Sequence, residues 1–182
     1  MCGDPYTAGH MVNVGKLSFA IAKVLGLDDE RCHRIRQGGE VHDVGKYVVP
    51  AEILARSGKL DPVELSLIKR HPEAGAAVLK SAHLPPLLAD IALSHHERLD
   101  GSGYPHQRKG EEISLAARIV AVADVVEAMA HLRPYRAALG LTAALDTISQ
   151  GAGSLFDREV VEACHTVFSV GFSYDTMVRA AS

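Results

Sequence analysis

The longest apolar stretch of the chain, from Ile113 to Ala130, constrains the fold most strongly. Its segment Ile119 to Val126 is apolar on almost every helical face, which predicts a helix buried at the centre of the protein. Arg118, Asp124 and Glu127 interrupt the stretch too often for a membrane span. The chain has no tryptophan and only 5% aromatic residues, so Ala, Leu, Val and Ile must fill its core. This composition favours packed helices over a β-sandwich, and 182 residues suit a single domain, residues 1–182.

Start and stop signals divide the chain into helices. Asp4-Pro5 and Asp61-Pro62 each place a capping carboxylate before a proline at the first helical position. Gly26 and Gly45 are expected to end the first two helices. A glycine-rich loop is predicted at 99–110, a short helix within 48–59, and no strand. The main predicted helices cover about 4–25, 28–43, 62–71, 72–82, 86–97, 113–131, 142–150 and 157–169.

Asp124 is a carboxylate inside the most apolar helix. Burying it without a partner would cost roughly tens of kcal/mol by Born solvation, so it must be paired, protonated or bound to a metal. An ion pair with Arg118 is the structural alternative, although six positions is a poor spacing for contact along a helix. The histidines favour metal ligation.

The chain has 10 histidines, and four of them stand out by position. His42, His71, His95 and His96 lie at predicted helix ends or beside a carboxylate, where side chains of separate helices can converge. Neighbouring residues on a helix point about 100° apart, so His42 and Asp43 reach one centre most easily at a helix end or at a site with two ions. This set indicates a metal-ion hydrolase. The others considered are interpreted as ordinary residues: His33, His83, His106, His131 and His165.

Net charge and cysteine content indicate which partners and which cellular compartment to expect. The net charge of −3 argues against binding to a nucleic-acid duplex. Cys2, Cys32 and Cys164 are odd in number and far apart, which favours free thiols in a reducing cytoplasm. No secretory signal opens the chain, so we expect a cytoplasmic protein.

Ordered motifs along the chain resemble those of the HD-GYP family of bacterial phosphodiesterases. The matches run from about residue 4 to residue 170, and the opening segment ending at His10 resembles the family's first helix. The motifs are His42-Asp43-Val44-Gly45-Lys46, Lys69-Arg70-His71-Pro72-Glu73, His95-His96-Glu97-Arg98-Leu99-Asp100-Gly101-Ser102-Gly103-Tyr104-Pro105, Val122-Ala123-Asp124-Val125 and Arg133-Pro134-Tyr135-Arg136.

The resemblance implies an all-α HD-domain helical bundle with a glycine-rich GYP loop. It also implies hydrolysis of cyclic di-GMP to pGpG and, in some members, to GMP. Asp43 is the best candidate to bridge two ions, and a hydroxide between them would attack phosphorus. The metal ligands implied by the matching positions are His10, His42, Asp43, His71, His95, His96 and Asp124.

The family pattern also implies substrate contacts. Lys46 resembles a lysine that stabilises phosphate charge or assists the leaving oxygen; the alternative is a solvated lysine past a helix end. Arg133 and Arg136 resemble residues that hold phosphates, with a surface role more credible for Arg136. Tyr104 would meet a guanine base by stacking or through its hydroxyl, and Gly103, with Gly101, would let the backbone approach the ligand.

Two departures from the pattern matter. Some members bind a third metal through a glutamate where this chain has Tyr6, so we expect two divalent ions, iron or manganese. Ala130-His131-Leu132 replaces a more polar stretch that ends in aspartate. The chain shows no upstream sensory domain, so we expect either a stand-alone catalytic module or a fragment of a longer protein.

The expected partners are cyclic di-GMP, GGDEF-type or other signalling proteins at the GYP loop, and a second copy of the chain. The alternatives are an HD-domain phosphohydrolase for another cyclic dinucleotide and a catalytically silent cyclic di-GMP sensor or docking module.

Overall fold

The computed structural model describes residues 5–56, 58–130 and 140–174. Residues 5–7 are described by their backbone alone. This part of the chain is helical and contains no strand. Two 3-10 turns, Val44–Val48 and Gly110–Glu112, lie between helices. The helices are α1 (Pro5–Val24), α2 (Asp29–Val41), α3 (Ala51–Leu54), α4 (Pro62–Ile68), α5 (His71–Ser81), α6 (Pro86–Ser94), α7 (Leu115–Ala130), α8 (Leu141–Gln150) and α9 (Arg158–Ser169).

Helix α7 lies at the centre of the bundle. Helices α1, α2, α6, α8 and α9 all contact it, and Ile119, Val120 and Val122 are completely buried. Leu17 and Ile21 of α1 belong to the same core cluster. The predicted all-α fold is therefore confirmed. Neither α7 nor any other described helix has the length and apolar content that a membrane crossing requires.

Caps and prolines set the helix boundaries close to their predicted positions. The Asp28 side chain accepts from the backbone N–H of Arg31 at 2.8 Å, and Asp61 caps α4 in the same way. Past α1, Gly26 adopts a φ of 76°, which glycine tolerates without strain. As a result, three helix termini carry histidines: His42 follows α2, His71 begins α5 and His95 follows α6.

Gly45 does not end α2, which stops at Val41; that prediction is wrong. Gly45 lies inside the 3-10 turn that follows Asp43. A Cβ atom here would lie 1.9 Å from the carbonyl oxygen of His71 and 2.4 Å from the backbone nitrogen of Gly75. The missing side chain thus allows the turn after Asp43 to pack directly on the start of α5, which brings Asp43 close to His71.

Gly45→Ala is expected to destabilise the protein by about 1–3 kcal/mol, because the methyl group forces backbone apart in a packed region. Gly9→Ala is the matched control, since a Cβ there meets nothing within 4 Å on the exposed side of α1. That change should stabilise the helix by roughly 0.5–1 kcal/mol. Urea unfolding followed by circular dichroism compares them, and equal midpoints would contradict the close packing.

Candidate metal centre and adjoining pocket

The seven predicted metal ligands converge on one centre. The potential ligand atoms form two groups, and within each group all atoms lie within 4.8 Å of one another. Asp43 belongs to both groups. Asp124 of α7 adjoins the first group, with its Oδ1 3.2 Å from His10 Nε2. The first group is His10, His42 and Asp43, and the second is Asp43, His71, His95 and His96.

The two carboxylate oxygens of Asp43 face different groups of histidines. Oδ1 lies 3.2 Å from His71 Nε2 and 3.9 Å from His95 Nε2. Oδ2 lies 3.3 Å from His42 Nε2 and 3.8 Å from His10 Nε2. A carboxylate divided in this way has the arrangement needed to bridge two cations about 3.5–4 Å apart.

Backbone hydrogen bonds fix the orientation of three imidazoles. His42, His71 and His95 each place Nδ1 against the carbonyl oxygen three residues earlier, at 2.7, 2.7 and 2.9 Å. A carbonyl oxygen only accepts hydrogen bonds, so Nδ1 of each ring carries the proton and donates it. In the neutral form of each ring, Nε2 is then the atom with the lone pair, and it faces the centre as in metal-binding histidines.

Several of the potential metal-ligand atoms are buried and accept no hydrogen bond. His71 Nε2 and His95 Nε2 lie 3.3 Å apart, although neither nitrogen carries a proton in the neutral tautomers. Within the described residues, His42 Nε2 and Asp43 Oδ1 are buried and have no hydrogen-bond partner. Each such atom costs about 1–3 kcal/mol. Divalent cations would satisfy these atoms together, so the residues fit a metal centre.

The electrostatic environment keeps Asp43, His95 and His96 in the protonation states that bind metals. Burial tends to raise the pKa of Asp43, but His42 and Lys46 more than offset it, and this pKa lies well below its usual range. Burial lowers the pKa of His95, and that of His96 to about 3. Anionic carboxylates and neutral imidazoles are the forms that bind divalent ions.

Asp124 faces the centre and not the apolar core. Its side chain is 13% exposed, whereas the neighbouring Ala123 is fully buried. Arg118 instead pairs with Asp157 at 3.0 Å, so within the described residues the alternative ion pair with Asp124 does not form. Burial tends to raise the pKa of Asp124, but the contact with His10 and the nearby His42 more than offset this effect. The pKa of Asp124 therefore lies well below its usual range. The carboxylate is therefore an available ligand.

Glu127 is a site residue that sequence analysis did not identify. It lies three residues after Asp124 on α7, is only 2% exposed, and accepts a hydrogen bond from His10 Nδ1. Its other oxygen accepts from Asn13 Nδ2 at 3.1 Å. Burial lowers the pKa of His10, but Asp124 and Glu127 raise it to about 9 overall. The available signal was a second acid three residues along the same apolar helix, a spacing that places both on one face.

A pocket of about 220 Å³ opens beside the centre. Lys46 lies in it with its ammonium 2.5 Å from Asp43 Oδ2, and its role toward a phosphate stays a prediction. Arg98 also lines the pocket, and no role was predicted for it from the sequence. The remaining lining residues are Asp43, His96, Asp124, Val125, Ala128 and Met129.

The GYP loop packs against the centre. The Tyr104 ring stacks on the His96 imidazole at a centroid distance of 4.7 Å, and the Lys69 ammonium lies 5.1 Å from its centroid. Gly103 is buried, and a Cβ there would lie 2.4 Å from Glu97 Cα. Its missing side chain therefore makes room for the protein's own backbone, and the predicted contact of Gly103 with a ligand stays a prediction. Arg133, Arg136 and the side chain of Tyr6 lie outside the described residues.

Buried Glu97 anchors this loop. Its carboxylate accepts from the backbone N–H groups of His106 at 2.7 Å and Arg108 at 3.1 Å. The loop that carries Tyr104 is thus held to the residue next to His96, and the metal centre and the loop form one packed unit.

The chain is similar to known proteins along most of its length. The HD domain family matches residues 4–160. The cyclic di-GMP phosphodiesterase response regulator RpfG of Xanthomonas campestris is 40% identical over 88% of this chain and 43% of its own length. The 3'3'-cGAMP-specific phosphodiesterase 3 of Vibrio cholerae is 37% identical over 86% of this chain and 34% of its own length. The chain thus spans less than half the length of these relatives.

A solved structure confirms the fold. Bd1817, an HDG"Y"P protein from Bdellovibrio bacteriovorus, has a TM-score of 0.73 at 21% identity, over 88% of this chain and 51% of its own. The chain belongs to the HD domain family, and its resemblance to the HD-GYP members of that family is confirmed.

Proposed function

We propose that this chain is a metal-dependent phosphodiesterase that hydrolyses cyclic di-GMP. The observation that carries the proposal is the position of Asp43, with one carboxylate oxygen facing each of two histidine groups. Two-metal sites of this kind support in-line displacement at phosphorus. The relatives named as cyclic dinucleotide phosphodiesterases support the same reaction.

We propose two divalent ions, iron or manganese, held by His10, His42 and Asp124 on one side and His71, His95 and His96 on the other, with Asp43 shared. Imidazole nitrogen and carboxylate oxygen suit both metals. When bound, such ions act as Lewis acids and lower the pKa of a coordinated water to about 7. The expected count is two per chain, because Tyr6 stands where a third ion would need a carboxylate.

The chain's own polar groups then bind and orient the substrate. Lys46 lies in the pocket beside Asp43, where its ammonium can stabilise a phosphate oxygen or the leaving oxygen. Tyr104 already contacts His96 and Lys69 through its ring, so we expect its hydroxyl to meet a guanine base. By resemblance, Arg133 and Arg136 hold substrate phosphates. Gly103 is proposed to let the backbone of this loop approach the substrate.

The test is turnover of cyclic di-GMP by purified protein loaded with Mn²⁺, or with Fe²⁺ under anaerobic conditions. We expect release of pGpG or GMP, separated by chromatography. Metal analysis of the anaerobically purified protein should give two ions per chain, and three would contradict the role given to Tyr6. Binding of cyclic di-GMP without turnover under both metals would identify a silent sensor instead.

A second candidate substrate is 3'3'-cGAMP, because a relative named for that specificity is 37% identical. Comparison of kcat/KM for the two cyclic dinucleotides decides between them. A larger value for 3'3'-cGAMP would replace the first proposal but keep the same metal centre.

The proposed protein partners dock on the exposed part of the GYP loop, where Ser102, His106 and Gln107 face solvent. These partners are GGDEF-type or other signalling proteins, and a homodimer is the proposed assembly. Size-exclusion chromatography with light scattering tests the dimer. For the localisation, we propose the cytoplasm, where the second messenger cyclic di-GMP would be hydrolysed.

A further inference from the structure

We propose that Arg98 binds a phosphate of the substrate and is the second cationic contact in the pocket beside the metal centre. This inference rests on the proposed phosphodiesterase function and assigns a substrate contact within it.

Arg98 lies on the route into the metal centre. Among the described residues, Lys46 and Arg98 are the two cations that line the pocket, together with Asp43, Asp124 and His96 of the metal centre. A phosphate that reaches the metal ligands through this pocket must therefore pass close to Arg98.

The pairing of the two cations differs. The Lys46 ammonium is 2.5 Å from Asp43 Oδ2, so its charge is already matched by the bridging carboxylate. Arg98 has no carboxylate within 4.0 Å in the part of the chain that the structure describes. Its positive charge is left for an anion from outside the protein.

The Arg98 guanidinium is also held in place. Its Nη1 donates to the backbone carbonyls of Glu97 at 2.8 Å and His95 at 3.3 Å. Its Cζ lies 5.0 Å from the centroid of the Phe156 ring, within the range of a cation–π contact. A side chain fixed in this way loses little further entropy when it binds a ligand.

Guanidinium chemistry fits a phosphodiester. The Nη1 group makes both backbone contacts, so the N–H groups of Nε and Nη2 make no bond within the described residues. Two N–H groups in a planar fork match the two non-bridging oxygens of a phosphate. An ammonium at the same position would supply the charge without the fork.

The experiment compares Arg98→Ala and Arg98→Lys with wild type in steady-state hydrolysis of cyclic di-GMP under Mn²⁺. For Arg98→Ala we expect KM to rise about 10–100-fold, the usual size of a lost charge-assisted hydrogen bond, with a smaller change in kcat. Arg98→Lys should lie between the two. Guanidinium ion at millimolar concentration should partly restore the KM of Arg98→Ala.

Arg108→Ala is the matched control. Arg108 is a half-buried arginine of the same loop, but its guanidinium bonds to Asp90 at 3.3 Å and Ser94 at 2.9 Å, away from the pocket lining. Its KM should stay within about twofold of wild type, and metal content should be equal in all variants. If Arg98→Ala does not fold, the KM of the metal-loaded Arg98→Lys variant carries the test.

A KM of Arg98→Ala within twofold of wild type would overturn the proposal while the wild-type turnover keeps the proposed function intact. Loss of bound metal with an unchanged KM would also overturn it, because Arg98 would then only hold the carbonyls of His95 and Glu97. No turnover by wild type on any cyclic dinucleotide would reject the phosphodiesterase function itself.

Discussion

Asp43→Ala is expected to lower the kcat for cyclic di-GMP by more than about 10³-fold, which exceeds the usual effect of losing one charge-stabilising group. The reason is that Asp43 is shared: each of its oxygens faces one of the two histidine groups. Its removal therefore takes a negative ligand from both metal sites at once. Metal analysis should show that both ions bind more weakly, whereas loss of a histidine from one group should weaken one ion more than the other.

Two further variants define this result. Asp43→Asn keeps the shape of the side chain but removes its charge, so it should retain little activity if charge is what holds the two ions. Asp100→Ala is the control, because Asp100 is an exposed carboxylate whose Oδ1 accepts from the backbone N–H of Ser102 in the loop. Circular dichroism should show equal helix content in all three. Full metal content in Asp43→Ala would mean that Asp43 is not the bridge.

The sequence was sufficient to locate the helices and the centre because their signals are local. Prolines and capping aspartates mark helix starts independently of the tertiary structure, and Asp61 caps α4 as predicted. The position of His71 and His95 at helix ends follows from those boundaries. Side chains at converging helix ends then reach a common point, which is why a few residue types at wide spacing were enough to predict a metal centre.

The contacts that depend on tertiary packing were not visible in the sequence. A glycine after a helix usually ends it, but the backbone of α5 lies so close to Gly45 that no side chain fits. The close approach of Gly103 to the backbone of Glu97 was likewise not predicted. Arg98 follows an acidic residue in a loop, and nothing in the sequence indicates that it lines a pocket beside the metal centre. These residues are chosen by their neighbours in space, and the chain order does not give those neighbours.

Glu127→Gln is expected to weaken metal binding on the His10 side of the centre by about 10–100-fold, the usual effect of losing a carboxylate that supports a metal-binding histidine. Glutamine can still accept from His10 Nδ1, but it no longer makes the ring more basic. Glu64→Gln is the matched control, because Glu64 is also buried but bonds to Arg56 and to the backbone of Asp61. Titration of metal-free protein with Mn²⁺ by calorimetry measures both.

The pH dependence of this Mn²⁺ binding separates an electrostatic role of Glu127 from a packing role. In the metal-free wild type, Glu127 and Asp124 raise the pKa of His10 to about 9, so at pH 7 the ring is protonated and a metal must displace that proton. Affinity at this site should therefore increase as pH rises towards 9, with release of close to one proton per ion. In Glu127→Gln the pKa of His10 is lower, so fewer protons are released and affinity increases less steeply. The deficit of the variant should thus be larger at pH 8.5 than at pH 7. A deficit that is the same at both pH values would mean that Glu127 acts through packing alone.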